Sequence, residues 1–524
     1  MAQRHSTPIR GLMSTPRSPQ FQGRFGRMFR SLVPATFGNS EQDNVKNLSL
    51  LGGASDPNNS RMSALFDPPT DGPDPEESGI PALYTYLGQF IDHDITFDPA
   101  SSLQAQDDPN ALTDFRTPAF DLDNIYGRGP DDQPYMYQKD GKSFLLGAAL
   151  AGSKFQVTDL PRNSDDPPRA LIGDPRNDEN TIVSQLQGLF HRFHNRLVSD
   201  NSTLSFPHIQ KLVRFHYQYM LLHDFLPRII HSEVLDALKT NGQYDQKRLK
   251  FFHWKNGPFM PVEFSVAAYR IGHSMVRPGY RLNDTNLLPI FKTDEAVKAG
   301  FTDDLAGFRN VVAGRAIDWG RFIDIDTRPY GTPDSDTDPN NKTRLQFAYR
   351  MDTSVVFPLS NLPMPVVGAP PISLPVRNLI RGWRLELPSG QHVAHAMGVV
   401  PMDDSQILIG KGVDTQDPGD PKIVSIDKIS PVFVKNCPLW TYILAEAMNH
   451  QVKVQIPVQN PIPLTTPQLG FVGGRIVAEV FLGLMFGDNH SLLVANPGWK
   501  PNNPSFALKD FVNYALGLGK AFVF

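Results

Sequence analysis

The sequence predicts a mainly α fold, a single large helical domain with long Pro-rich loops and little β structure. Three observations lead there. Apolar residues recur at i, i+3 and i+4 spacing in several separate stretches, the pattern of helices with one buried face. Proline is frequent, 47 of 524 residues. Because Pro neither continues a helix nor donates to a sheet ladder, long connections are expected between the elements. No repeat period is visible, and strands do not alternate with helices.

Residues 1–75 read as an N-terminal extended arm, with turn residues throughout (RHSTPIRG, FDPPTDGPDPEESG). Residues 76–524 are then one domain. Leu83, Tyr86, Leu87, Phe90, Ile91 and Ile95 predict an amphipathic helix over 81–96. A polar connection rich in Asp, Pro and Gly follows at 98–145. A second helix is expected from about Asn180 to Asp200, carrying Ile182, Val183, Leu186, Leu189, Phe190, Phe193, Leu197 and Val198. Further helices are expected at 207–223, 261–276, 373–386, 438–450 and 472–487. Residues 325–345 are a polar loop, and short strands are expected at 392–410.

Composition narrows the function classes. Fifty basic and 54 acidic residues give a net charge of −4, which offers no basic excess for nucleic acid or an anionic membrane. The single cysteine, Cys437, excludes an internal disulfide framework and any zinc or iron–sulfur cage built on several thiolates. The simplest compartment for such a chain is a reducing one. Met1 to about Arg30 is rich in Arg, Ser and Pro and lacks the apolar core of a secretory signal. No stretch reaches the roughly 18–20 apolar residues that span a bilayer. A soluble protein is expected, cytoplasmic or exported without a classical signal.

Four segments carry chemistry. In Gln89-Phe90-Ile91-Asp92-His93-Asp94, Gln89 and His93 are i and i+4 and project from one helix face. An imidazole and an amide there suit a small polar molecule, although a lone helical His more often caps or packs. In Gly173-Asp174-Pro175-Arg176-Asn177-Asp178-Glu179, Arg176 and Glu179 are i and i+3. Arg176 is permanently charged and suited to negative charge developing on oxygen, while Glu179 suits any first helical turn. In Arg270-Ile271-Gly272-His273 the Arg and the His fall on one side, with Gly272 permitting close approach of a flat ligand. A metal-ligating His needs an acceptor at its second nitrogen, and Asn378 is a candidate. In Thr117-Pro118-Ala119-Phe120-Asp121-Leu122-Asp123 the alternating oxygen-bearing positions suit a hard cation such as Ca²⁺, or a plain surface turn.

Together and in this order, these segments resemble motifs of the animal-type haem peroxidase superfamily, the group of myeloperoxidase, lactoperoxidase and peroxidasin, with cyclooxygenases and α-dioxygenases as cousins. Asp123-Asn124-Ile125-Tyr126-Gly127, His191-Arg192-Phe193-His194-Asn195-Arg196-Leu197 and Val472-Gly473-Gly474 add to the likeness, which spans about 80–500. Bacterial-type single-domain members are the most similar. The resemblance implies haem b and Ca²⁺ as cofactors. It implies that His93, Arg176 and Gln89 are the distal catalytic set and that His273 ligates the iron. Asn378 would be the partner of His273, Arg270 would pair with a haem propionate, and Arg381 would join the haem-binding set. Asp92 and Glu179 would form ester bonds to the haem. Asp94, Thr117, the Ala119 carbonyl, Asp121 and Asp123 would hold calcium.

The implied reaction reduces hydrogen peroxide and oxidises a small donor, a halide, thiocyanate or a phenolic or aromatic compound. Two further readings stay open: a cyclooxygenase- or α-dioxygenase-like fatty-acid oxygenase, and a non-catalytic calcium-binding protein on the same fold. Two departures bear on the chemistry. Asn180 stands where myeloperoxidase has the methionine of its third haem bond, so strong chloride oxidation is not expected. Tyr269 lies one place off the radical tyrosine of cyclooxygenases, which weakens the oxygenase reading. His191 and His194, spaced i and i+3, could share a non-haem metal, although HxxHN belongs to the family's helix pattern and more often packs or hydrogen-bonds.

Overall fold

A computed structural model describes residues 25–56, 58–96, 118–255, 257–333, 335, 337–417 and 419–519. The chain is mainly α, as its periodicity predicts. Among the described residues, the helices include α1 (Glu41–Gly52), α2 (Leu83–Ile95), α3 (Thr181–Asp200), α4 (Phe206–Met220), α5 (Gly272–Met275), α6 (Leu374–Arg384), α7 (Leu439–Asn449), α8 (Gly473–Phe486) and α9 (Leu508–Ala515). Among the described residues, strands form only two-stranded pairs, such as Phe347–Tyr349 against Glu77–Pro81.

α2 and α3 form the centre. Leu87, Phe90, Ile91 and Ile95 of α2 are buried, and Phe90 stacks on Phe190 of α3 with ring centroids 4.3 Å apart and planes 7° from parallel. Offset stacking of this kind adds about 0.5–1.5 kcal/mol to the area the rings bury. α3 starts where it does because the Asn180 side chain accepts from the backbone N–H groups of Ile182 and Val183. Such a cap contributes about 1 kcal/mol. α9 packs along α3, and α8 is buried along nearly its whole length.

Three expectations need correction. Within the expected 1–75 arm, α1 belongs to the packed body. Ser40 caps α1, Leu48 and Leu51 are buried, and α1 packs against α6. The polar residues of α1 hide an i, i+3 apolar seam. The continuous helix expected at 261–276 is broken, because Tyr269 N–H reaches back five residues to Phe264 O at 2.9 Å. This wide π-type turn gives way to tight three-residue bonds, Arg270 N–H to Ala267 O and His273 N–H to Arg270 O. The start of the range expected as strands, 392–410, lies in a helix, Gly390–Ala396, and the strand there reduces to Leu408–Ile409.

Candidate active site

The C-terminal half of α2 supplies Gln89, Asp92, His93 and Asp94. His93 is 5% exposed, and its Nδ1 lies 2.8 Å from Oδ1 of Asn177. Its Nε2 lies 3.4 Å from Oε1 of Glu179. Gln89 donates from Nε2 to that same Glu179 oxygen and accepts from Asn180 Nδ2 at 3.2 Å. Gln89, His93 and Glu179 thus converge on one point, with Asn180 closing the edge. Asp92 is half-buried at the next position of the helix and accepts from Thr96 Oγ1.

The turn Pro175–Asp178 brings the second segment beside α2. Asp174 caps it by accepting from Arg176 N–H at 2.8 Å. Gly173 is required there, since a Cβ would lie 2.5 Å from the carbonyl of Asp123 and 2.6 Å from that of Asn124. Arg176 bonds Asp174 and donates from Nη2 to the carbonyls of His93 at 3.0 Å and Thr96 at 2.6 Å. Its guanidinium therefore also anchors the C-terminal end of α2, where the helix dipole is negative.

Across from α2 lies α5, and the two helices pack together. The tight turn places Arg270 and His273 on one side, as their spacing predicts. Burial, with the nearby Arg270 charge, pushes the His273 imidazole down to about 3, so the ring is neutral at ordinary pH. Its Nδ1 is 2.8 Å from Nδ2 of Asn378 on α6. A ring that binds metal through Nε2 carries its proton on Nδ1, and a half-turn of the Asn378 amide presents Oδ1 to it. Arg270 donates from Nε to Ser265 O, and among the described residues its terminal nitrogens are not engaged. Gly272 faces open space: a Cβ there would meet no atom within 4 Å. Arg381 lies one turn beyond Asn378 on α6. Tyr269 stacks on Phe264, and its buried hydroxyl has no partner among the described residues.

In the oxygen-rich loop, Ala119 is buried and Leu122 adopts a left-handed conformation at φ 59°. Asp121 accepts from Asp123 N–H at 3.1 Å. Burial, then the Asp123 charge, raises the Asp121 carboxyl well above its ordinary range; Asp94 adds to this and Arg214 opposes it. Arg214 on α4 donates to the Asp121 carbonyl. Thr117 lies outside the described residues. Among the described residues, no three His, Cys, Asp or Glu side chains are grouped to hold a metal ion.

Several supporting residues were given no role by the motifs. Arg162 binds both Asp178 oxygens, and Asn177 and Gln187 extend inward from His93. They are visible only once the turn is laid against α3. His194 spends both ring nitrogens, Nδ1 on Tyr126 Oη at 3.0 Å and Nε2 on the Lys142 carbonyl at 2.9 Å. It has no lone pair left to share a metal with His191.

Residues 101–314 match the animal haem peroxidase family. The family likeness expected from the motifs is borne out. The matched segment contains Arg176, Glu179 and His273. Thyroid peroxidase from Canis lupus familiaris is 26% identical over 212 residues, 36% of this chain and 21% of that protein. The alignment thus spans about a fifth of the length of that curated relative. Among solved structures, peroxidase A from Dictyostelium discoideum aligns with a TM-score of 0.58 at 15% identity, covering 94% of this chain and 92% of that one. The fatty acid α-dioxygenase of Oryza sativa aligns with a TM-score of 0.50 at 13% identity, covering 99% and 85%. At such identities these two show a shared fold alone. Among the described residues, no helix is long and apolar enough to cross a membrane.

Proposed function

We propose that the chain is a haem peroxidase that reduces hydrogen peroxide and oxidises a small donor, a halide, thiocyanate or a phenol. The observation that carries this reading is the paired anchoring of two histidines, His93 buried and His273 half-buried. His93 on α2 and His273 on the packed α5 each have Nδ1 held by an asparagine amide. Each ring then has Nε2 for chemistry.

The residues fit haem b. His273 is neutral and would ligate its iron, Arg270 has terminal nitrogens that would meet a propionate, and Gly272 adds no bulk beside the ring. Arg381 completes this set from α6. When bound, the haem supplies the electrons that cleave the O–O bond. His93 Nε2 takes the proton from one peroxide oxygen and returns it to the other, as a general base and then a general acid. Gln89 orients peroxide or water by its amide, and Arg176 contributes positive charge near the departing oxygen. Asp92 and Glu179 are the carboxylates available for ester bonds to the haem edge. Calcium, held by Asp94, Thr117, the Ala119 carbonyl, Asp121 and Asp123, would fix the end of α2.

The test pairs a spectrum with an assay. The purified protein should show a Soret band and peroxide-dependent oxidation of guaiacol or bromide. His93→Ala should lose peroxide cleavage by at least about a hundredfold while keeping the Soret band. Linoleate oxygenation without guaiacol oxidation would replace this reading with an oxygenase, and the absence of a Soret band would remove both.

A further inference from the structure

We propose that Asn177, itself held by Gln187 and His191, is a positioning residue that fixes the tautomer and ring orientation of His93. The inference rests on the reading of His93 as the base that handles peroxide. Four side chains form one hydrogen-bonded line. His93 Nδ1 meets Asn177 Oδ1 at 2.8 Å, Asn177 Nδ2 donates to Gln187 Oε1 at 2.8 Å, and Gln187 Nε2 meets His191 Nε2 at 2.9 Å. Asn177 and Gln187 are fully buried, and His93 and His191 are nearly so.

The chemistry of the amides gives the line a direction. An amide oxygen only accepts and an amide nitrogen only donates. With Asn177 Oδ1 toward the ring, His93 must carry its hydrogen on Nδ1, which leaves the lone pair on Nε2. The reverse order, amide nitrogen toward the ring, would keep Nδ1 as the acceptor and the hydrogen on Nε2, leaving no lone pair there to take a proton. Only the first order suits both the base and its conjugate acid.

The far end of the line is rigid. Gln187 and His191 are i and i+4 on α3, which packs against both α2 and the turn that carries Asn177. His191 stacks on Phe144 with centroids 4.4 Å apart and planes 9° from parallel. Its Nδ1 has no partner among the described residues, so the line ends at this ring. Burial and the neighbouring His194 push its imidazole down to about 3, so it stays neutral. A buried amide that loses its partner costs about 1–3 kcal/mol, and each link therefore holds the next in one orientation.

The experiment uses the full chain with ¹⁵N-labelled histidine, prepared without added haem and recorded at about pH 8, where a free imidazole is neutral. The His93 signals are those missing from His93→Ala. Wild type should show the Nδ1–H tautomer at His93. Asn177→Ala and Gln187→Leu should show a mixture. Gln187→Glu, whose carboxylate still accepts from Asn177, should recover the single tautomer. In the haem-loaded protein, Asn177→Ala and Gln187→Leu should slow peroxide cleavage about tenfold to a hundredfold, the usual range for an outer partner. Gln187→Glu should recover part of that rate. An unchanged tautomer in both Asn177→Ala and Gln187→Leu overturns the proposal. So does an unchanged cleavage rate in those variants while His93→Ala is inactive. Full activity in His93→Ala would instead overturn the reading of His93 as the base, and the tautomer data would still decide whether Asn177 positions the ring.

Discussion

Arg162 grips Asp178 with both arms of its guanidinium, Nη1 to Oδ2 and Nη2 to Oδ1, each at 2.7 Å. Asp159 binds the same guanidinium through Nε at 3.0 Å, and all three side chains are nearly excluded from water. This ion cluster holds the Pro175–Asp178 turn, and with it Arg176 and Asn177. Arg162→Met should leave two carboxylates buried without their cation and cost about 3–5 kcal/mol, read by denaturant unfolding. A loss below about 1 kcal/mol would mean that the cluster is not what holds the turn.

Gly173 gives a second, purely steric test. Its missing Cβ is what lets the turn lie against the Asp123 and Asn124 carbonyls. Gly173→Ala should force the two backbones apart, at a cost of about 1–3 kcal/mol. Thermal melting should register that cost, and peroxide turnover should fall with it. An alanine variant that melted and turned over like wild type would show that the two segments part without consequence.

The pH dependence of stability should carry a mark of His194. Burial lowers its imidazole from 6.5 to about 4, against a small upward pull from the Lys142 carbonyl. The unfolded chain takes up this proton near 6.5 and the folded chain only near 4. The contribution is therefore complete above 6.5 and disappears as the pH falls toward 4. Protonation of Nδ1 would also displace the hydroxyl that Tyr126 donates to it. Buried Asp352 and Glu76, raised by burial to about 7 and about 8, act in the opposite sense and lose their contribution as the pH rises. The measurement is thus the difference in Tm between wild type and His194→Gln. That difference should shrink steadily between pH 6.5 and 4, and a constant difference would contradict the assignment.

Calcium can be tested by mass action. If the ion binds the Asp94, Asp121 and Asp123 loop, saturating Ca²⁺ at about a hundredfold above Kd stabilises the fold by about 2.7 kcal/mol. A chelator should then lower Tm, and Asp121→Asn should abolish the response. Equal Tm values in chelator and in millimolar Ca²⁺ would leave Arg214 as the cation that this loop uses.

The long helices were legible because each buries a face. The 81–96 and 180–200 periodicities predict α2 and α3 to within two residues. α1 was not legible, because its apolar seam is interrupted by Asn44 and Asn47, whose amides bond the backbone of the segment before it. The break before His273 was hidden for a different reason: a π-type turn keeps an apolar composition and changes only the phase. In the candidate site, i and i+4 spacing was enough to put Gln89 and His93 on one face. The contacts of His93 were out of reach, since Asn177 and Glu179 lie 84 or more residues away in the chain. Asn180 was read only as a missing methionine, whereas its side chain caps α3 and bonds Gln89.

The packing of α1 onto α6 bears on where the working unit can be cut. The family match ends at residue 314, which leaves Asn378, the partner of His273, outside it. α6 carries Asn378, and that helix rests on residues 41–52. An excised fragment bounded by the match would retain His273 but neither the amide beneath it nor the helix that bears His93. Expression boundaries for this protein should accordingly follow the contacts that brace the two histidines, beginning upstream of α1 and running through α9.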